Sequence, residues 1–134
     1  MVVDLNLDVE IAVCPIVREP DGLALSSRNA YLTAEERAAA TALHRALDAA
    51  GRAIKSGTRD TLQLHAMIRD FIQREPLAAL DYAEIVDADT FEPAARIGKS
   101  CYVLLAVFFG RTRLIDNMLV TPSLADADEL LLSL

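Results

Sequence analysis

The chain has 134 residues, a net charge of −7, hydrophobic side chains at 53% of positions and charged ones at 25%, which suits one modest folded domain, or a small domain plus a piece of another, and excludes a disordered polymer. The acidic balance repels phosphates, so nonspecific nucleic-acid binding is not expected. The longest apolar run, residues 102–109, is far too short to cross a bilayer, and no basic stretch marks the start as a signal peptide, so no membrane partner is expected either.

In chain order, residues 1–7 read as the last turn of a helix that begins earlier. Residues 9–17, Val-Glu-Ile-Ala-Val-Cys-Pro-Ile-Val, are rich in β-branched side chains and predict a strand. Pro15 within it favours an edge or a strand end. Residues 18–25 form a loop, punctuated by Pro20 and Asp21-Gly22. Thr33-Ala-Glu-Glu36 is a capping box, predicting a helix that runs to Ser56 and stops at Gly57. Ala39, Leu43, Ala46, Leu47, Ala50 and Ile54 make its apolar stripe. A second helix is predicted over residues 59–74, with Leu64, Ile68, Phe71 and Ile72 on one face and Pro76 barring its continuation.

Strands are expected at 81–87, 101–109 and 113–120, the last two joined by the compact turn Gly110-Arg111-Thr112. In the first of them Ala83 and Ile85 take one side, and Tyr82, Glu84 and Val86 the other. The fold class is therefore α+β: a small antiparallel three-stranded sheet with two packed helices. The strand at 9–17 has no neighbour of its own type nearby, and its backbone groups need partners. It is natural as the last strand of a parallel sheet encoded upstream, so the chain is expected to be a piece of something longer. Residues 126–134 form a final helix or stay disordered. Cys14 and Cys101 sit in apolar contexts without a CxxC, and read as two reduced, buried core thiols of a cytosolic protein.

The stretch with most chemistry is Arg18-Glu-Pro-Asp-Gly-Leu-Ala-Leu-Ser-Ser-Arg-Asn29, between a strand and a helix. Hydroxyls and amides near a helix start donate to phosphate oxygens, and a neighbouring arginine adds a charged fork. Taken alone, Ser26-Ser27 reads first as a cap. His44 and His65 fall inside the predicted helices, in no His-x-Gly-His context, and no His/Cys arrangement has metal-ligand spacing. Glu35, Glu36 and Arg37 are helix-start charges, with the macrodipole favouring the two glutamates. Asp87 and Asp89 read as a solvated strand end. Arg111 and Arg113 read as a solvated turn, or as arms of a lid.

Pro15-Ile-Val-Arg-Glu-Pro-Asp-Gly-Leu-Ala-Leu-Ser-Ser-Arg-Asn-Ala-Tyr-Leu32, followed by Glu35-Glu-Arg37, resembles the signature of the pantothenate synthetase (pantoate–β-alanine ligase) family. Gly110-Arg-Thr-Arg-Leu-Ile-Asp-Asn117 resembles that family's final hairpin. The two matches stand in the right order and extend the resemblance to about Val120. It implies the C-terminal portion of such an enzyme. Residues 1–32 would be the remnant of a Rossmann-like nucleotidyltransferase domain, with its leftover strand and a KMSKS-type ATP loop. Residues 33–120 would be the C-terminal lid, and 121–134 a tail that the resemblance does not reach.

The implied reaction has two steps. ATP and pantoate give pantoyl adenylate and pyrophosphate, with Mg²⁺ required; β-alanine then displaces AMP. The resemblance implies ATP contacts at Val17, Leu25, Ser26, Ser27 and Arg28, with Leu25 standing where Met is common. It implies a missing N-terminal domain that carries the catalytic histidines, so no catalytic residue and no metal ligand is expected here. An inactive chain on its own, a cytoplasmic location and a homodimer of the intact enzyme follow. An alternative reading is a non-catalytic interaction domain that dimerises through the first strand.

Overall fold

The computed structural model describes residues 10, 12 and 14–123. A 3₁₀ turn, Ser27–Tyr31, leads into helices α1 (Ala34–Ala39), α2 (Ala42–Lys55) and α3 (Thr61–Gln73). Strands β1 (Ala78–Asp87), β2 (Cys101–Phe109) and β3 (Thr112–Val120) follow. The sheet is an antiparallel meander in the order β1-β2-β3.

The predicted capping box is present in full. The Thr33 hydroxyl accepts from the Glu36 amide at 3.1 Å, and the Glu36 carboxylate accepts from the Thr33 amide at 3.3 Å. Such a cap contributes about 1 kcal/mol. The helix behind it is not continuous to Ser56 as its pattern predicts. It breaks at residues 40–41, where the Thr41 hydroxyl donates to the Ala38 carbonyl at 3.0 Å. A hydroxyl that takes a carbonyl of the preceding turn loosens the regular ladder there. α2 ends as expected at Gly57, whose φ is 118°. The Thr58 amide reaches back to the Ala53 carbonyl and the Gly57 amide to Ile54, the paired bonds of a Schellman ending.

Helical periodicity and strand alternation meet in one core. Leu43, Leu47, Ala50 and Ile54 of α2, with Leu64, Ile68 and Ile72 of α3, cover Ile85, Val103, Leu105, Val107 and Phe109 of the sheet. Truncating one of these to alanine costs about 2–5 kcal/mol. β1 starts earlier than predicted and carries a bulge between Leu80 and Tyr82. The extra residue lets Leu80 and Ala83 both pack against the core, and brings Asp81 out to solvent.

The strand expected at residues 9–17 is a correction. Residues 14–17 carry no strand and are exposed; Ile16 is 40% and Val17 66% accessible. Cys14, Pro15 and Ile16 border an open hollow shared with Met118 and Leu119 of β3 but form no bridge to a strand among the described residues, and the Pro15 nitrogen has no proton to donate to a ladder. The bridging that does occur is local, Arg18 with Ala24. Cys14, expected in the core, is exposed, whereas Cys101 is buried as expected. The reading of residues 1–7 as a helix end, most of the 9–17 strand and the helix-or-disorder alternative for 126–134 lie outside the described residues.

Candidate functional site

The segment between residues 17 and 29 folds as a small loop closed on itself. The Leu25 amide bonds to the Val17 carbonyl at 2.9 Å, the Glu19 amide to Leu23 at 2.8 Å, and the Gly22 amide to Glu19 at 2.9 Å. Asp21 turns its carboxylate onto the Leu23 amide at 3.2 Å. Asn29 donates from Nδ2 to the Ala24 carbonyl at 3.0 Å. Leu23, at 2% exposure, drops its side chain into the main core.

Ion pairs fix this loop to the rest of the molecule. Arg18 grips Asp116 of β3 with both arms, Nη1 to Oδ2 at 2.6 Å and Nη2 to Oδ1 at 2.9 Å. Arg37 of α1 grips Asp21 at 2.8 and 3.2 Å. The Arg37 guanidinium holds the Asp21 carboxyl below the usual carboxylate range, helped by the Leu23 amide. Arg28 Nη1 donates to the Arg113 carbonyl at 3.3 Å. Arg113 is itself held by Asp81, 2.8 Å from its Nε, and lies over the Tyr82 ring at 5.6 Å.

These anchors place Arg28 beside the β2–β3 hairpin. An open cleft of about 780 Å³ lies between them, lined by Arg28, Tyr31, Glu36, Gly110, Arg111, Thr112 and Arg113. Three arginines stand against Glu36 in this lining, and with Arg113 paired to Asp81 its net charge is +1, in a chain of net charge −7. Concentrated positive charge in a concavity of an acidic protein is suited to an anionic ligand. A second hollow of about 270 Å³ brings Leu25, Ser26 and Arg28 together with Arg113 and Asp116.

Of the five residues singled out in the sequence, Arg28 lines both hollows and Leu25 and Ser26 line the second. Ser27 opens the 3₁₀ turn and is exposed. Val17 lines neither hollow, but is tied to Leu25 through its carbonyl. The capping role read for the serine pair is real for Ser26, whose hydroxyl accepts from the Arg28 amide at 3.2 Å. Arg111 and Arg113 line the first hollow together with Arg28. His44 and His65 stand in α2 and α3. His44 is half-buried with no hydrogen-bond partner for Nδ1 and lies outside both hollows.

Sequence reasoning missed the role of Asp116. A signal was present: Asp116 falls in the same alternation as Leu114, Met118 and Val120, the core-facing phase of β3. A carboxylate in that phase has to find a cation or a set of donors.

A sequence model of the pantoate-beta-alanine ligase family matches residues 1–119. The chain belongs to this family. It is 52% identical over 120 residues to the pantothenate synthetase of Caldicellulosiruptor saccharolyticus, covering 90% of this chain and 43% of that protein. It is equally similar, at 52% identity, to the pantothenate synthetase of Roseiflexus castenholzii. Among solved structures, the pantothenate synthetase of Thermus thermophilus superposes with a TM-score of 0.83 at 37% identity, over 90% of this chain and 44% of that one. The pantoate-beta-alanine ligase of Francisella tularensis, solved with a β,γ-ATP compound and β-alanine, superposes with a TM-score of 0.54 at 29% identity, over 88% of this chain and 36% of its own. The chain thus spans less than half the length of the relatives it matches.

Proposed function

We propose that this pantoate-beta-alanine ligase family chain supplies the ATP-phosphate loop and the lid of an enzyme that joins pantoate to β-alanine. Residues 1–32 belong with an N-terminal Rossmann-like domain, residues 33–120 form the C-terminal lid, and 121–134 are a tail without an assigned role. The observation that carries this reading is the convergence of Arg28, from the loop, with Arg111 and Arg113, from the hairpin, on one open cleft.

In this reading Val17, Leu25, Ser26, Ser27 and Arg28 contact ATP. The pantoate carboxylate attacks the α-phosphorus, pyrophosphate leaves, and pantoyl adenylate remains. The β-alanine amine then attacks the acyl carbon and AMP leaves. As the bond to pyrophosphate breaks, negative charge gathers on the departing oxygens. The Arg28 guanidinium, with Ser26 and Ser27 as hydroxyl donors, stabilises that charge where it develops. An arginine suits the task because its planar fork binds two phosphate oxygens at once.

Family likeness also calls for Mg²⁺. Magnesium that arrives with ATP would be held mainly by phosphate oxygens and water, with one or two carboxylates at most. No group of three His, Cys, Asp or Glu side chains among the described residues surrounds one point, and Glu36, the carboxylate in the cleft lining, is committed to capping Thr33.

The catalytic histidines and most of the pantoate and β-alanine pockets lie in the N-terminal domain, which also makes the homodimer, so this chain alone is inactive. The assembled enzyme works in the cytoplasm; no helix among the described residues is long and apolar enough to cross a membrane.

The test is AMP release from ATP, pantoate and β-alanine, with this chain alone and after addition of a separately produced N-terminal half. Activity in the mixture only is expected. Turnover by the chain alone would remove the split-site reading. No AMP from two folded halves would favour a non-catalytic dimerising domain, whose mark is a doubled mass in solution.

A further inference from the structure

The loop that carries Arg28 is built as part of the lid. Asp116 occupies a core-facing position of β3, paired across the sheet with Leu105, and its side chain is 1% exposed. Its side-chain donor, Arg18, belongs to the loop. Arg18 supplies two bonds, at 2.6 and 2.9 Å, and the Asn117 amide a third at 2.7 Å. The same guanidinium donates to the Gly22 carbonyl at 3.0 Å, so one side chain spans strand and loop. The second stitch, from Arg28 to the Arg113 carbonyl, also ends on β3.

A leucine at position 116 would fill the core as well as an aspartate, and a buried ion pair contributes little net stability over such a residue. What a two-bond fork adds is orientation: it fixes distance, direction and plane together. The loop is closed on itself by its own backbone bonds, so a fix at Arg18 propagates to its far end. A buried, oriented pair at the base of a self-closed loop is a device for placing what the loop carries.

We propose that Asp116 is a positioning residue for the phosphate-contacting segment Ser26-Ser27-Arg28, acting through Arg18, so that residues 17–28 and the β2–β3 hairpin move as one body. This rests on the reading of that segment as an ATP-phosphate contact. Its consequence is mechanical. The loop closes over a nucleotide when the lid closes, not before it, although by family division it lies on the N-terminal side of the boundary. Arg28, Arg111 and Arg113 therefore keep their mutual spacing in open and closed states.

The experiment is amide hydrogen exchange on the isotope-labelled chain, with ATP titrated into the same samples and read at the amides of Ser26, Ser27 and Arg28. In Asp116→Asn and in Arg18→Gln, exchange at the bonded amides of Glu19, Leu25 and Asn29 is expected to quicken tenfold or more. Core amides of Leu47 and Leu105 should stay within twofold. ATP affinity should fall about tenfold in both variants, with Arg18→Lys intermediate because it keeps the charge and loses the fork. Unchanged loop exchange in both variants overturns the proposal, as does equal acceleration in loop and core, which marks a merely stabilising pair. Arg28→Ala separates the two readings. If it leaves both ATP affinity and the rate of pyrophosphate release by the assembled enzyme unchanged, the phosphate-contact reading fails. If it weakens ATP while Asp116→Asn and Arg18→Gln do not, only the positioning role fails.

Discussion

The guanidinium of Arg28 is bonded to the backbone carbonyl of Arg113, 3.3 Å away and 85 residues on in sequence. A side chain that donates to a carbonyl keeps its charge uncompensated, unlike one that pairs with a carboxylate. Arg28 is therefore held in place and remains electrostatically available to an anion. Asp81, in contrast, neutralises Arg113.

This bears on what an Arg28→Ala variant does in the assembled enzyme. A hydrogen bond to a charged group contributes about 1.5–3 kcal/mol, so loss of the guanidinium should slow pyrophosphate release by about 10–100-fold. The KM for ATP should change less, because the charge it meets grows in the transition state. Arg113→Lys should be milder, since the carbonyl that holds Arg28 is unchanged. An unaltered rate of pyrophosphate release in Arg28→Ala removes the role assigned to it.

Gly110 sets the hairpin that carries Arg111. Phe109 pairs with Thr112, leaving two residues for the turn. Gly110 has φ of 62° and Arg111 is not among the positive-φ residues, the pattern of a type II′ turn with glycine first. A Cβ on Gly110 would lie 2.7 Å from Glu36 Oε2, pressing on the carboxylate that completes the α1 cap. Gly110→Ala should cost about 1–2 kcal/mol from the left-handed backbone alone, read as a fall of several degrees in Tm. Retention of the wild-type Tm would mean that the turn readily re-forms with another geometry.

The two thiols should separate cleanly. Cys101 is 2% exposed, and burial pushes its thiol up, so both access and thiolate content are low. Cys14 is exposed. A thiol-specific reagent should modify Cys14 promptly and Cys101 at least ~100-fold more slowly, limited by opening of the core. Cys14→Ser should remove the fast phase entirely. Two equally fast thiols would be incompatible with β2 as the central strand of the sheet.

What the sequence made legible follows the reach of each interaction. The stripes on α2 and α3, the two strands flanking the Gly110 turn, the Thr33–Glu36 box and the Gly57 ending are local patterns, and each appears in the structure where it was read. The break at Thr41 was hidden because it depends on the direction of one hydroxyl, which no periodicity encodes. Residues 14–17 misled because β-branched side chains mark strand propensity, whereas a strand exists only with a neighbour to pair with. The lining of the candidate site was half legible. Family likeness pointed to Leu25, Ser26 and Arg28, but the Arg18–Asp116 pair joins residues 98 apart. Only the phase of Asp116 within its strand hinted that a partner must exist.

The last prediction concerns the loop's other tie, Asp21 to Arg37. The Arg37 bond first, and the Leu23 amide second, hold the Asp21 carboxyl below its usual value. A carboxyl whose folded pKa is depressed contributes stability that is fully present above its unfolded pKa of about 3.9, and loses it as pH falls through the lower folded value. The window is thus the acid limb below about pH 4, and the loop is fully tied at neutral pH. Asp21 is exposed and Arg37 half-buried, and a pair this open to solvent contributes little and weakens with salt. A carboxyl-carbon NMR titration should show the Asp21 midpoint below the ordinary carboxylate value in the wild-type chain. In Arg37→Ala it should move back toward that value, stopping short because the Leu23 amide still donates to it. An identical midpoint in both proteins would mean that the turn's own backbone, and not α1, sets the charge state of Asp21.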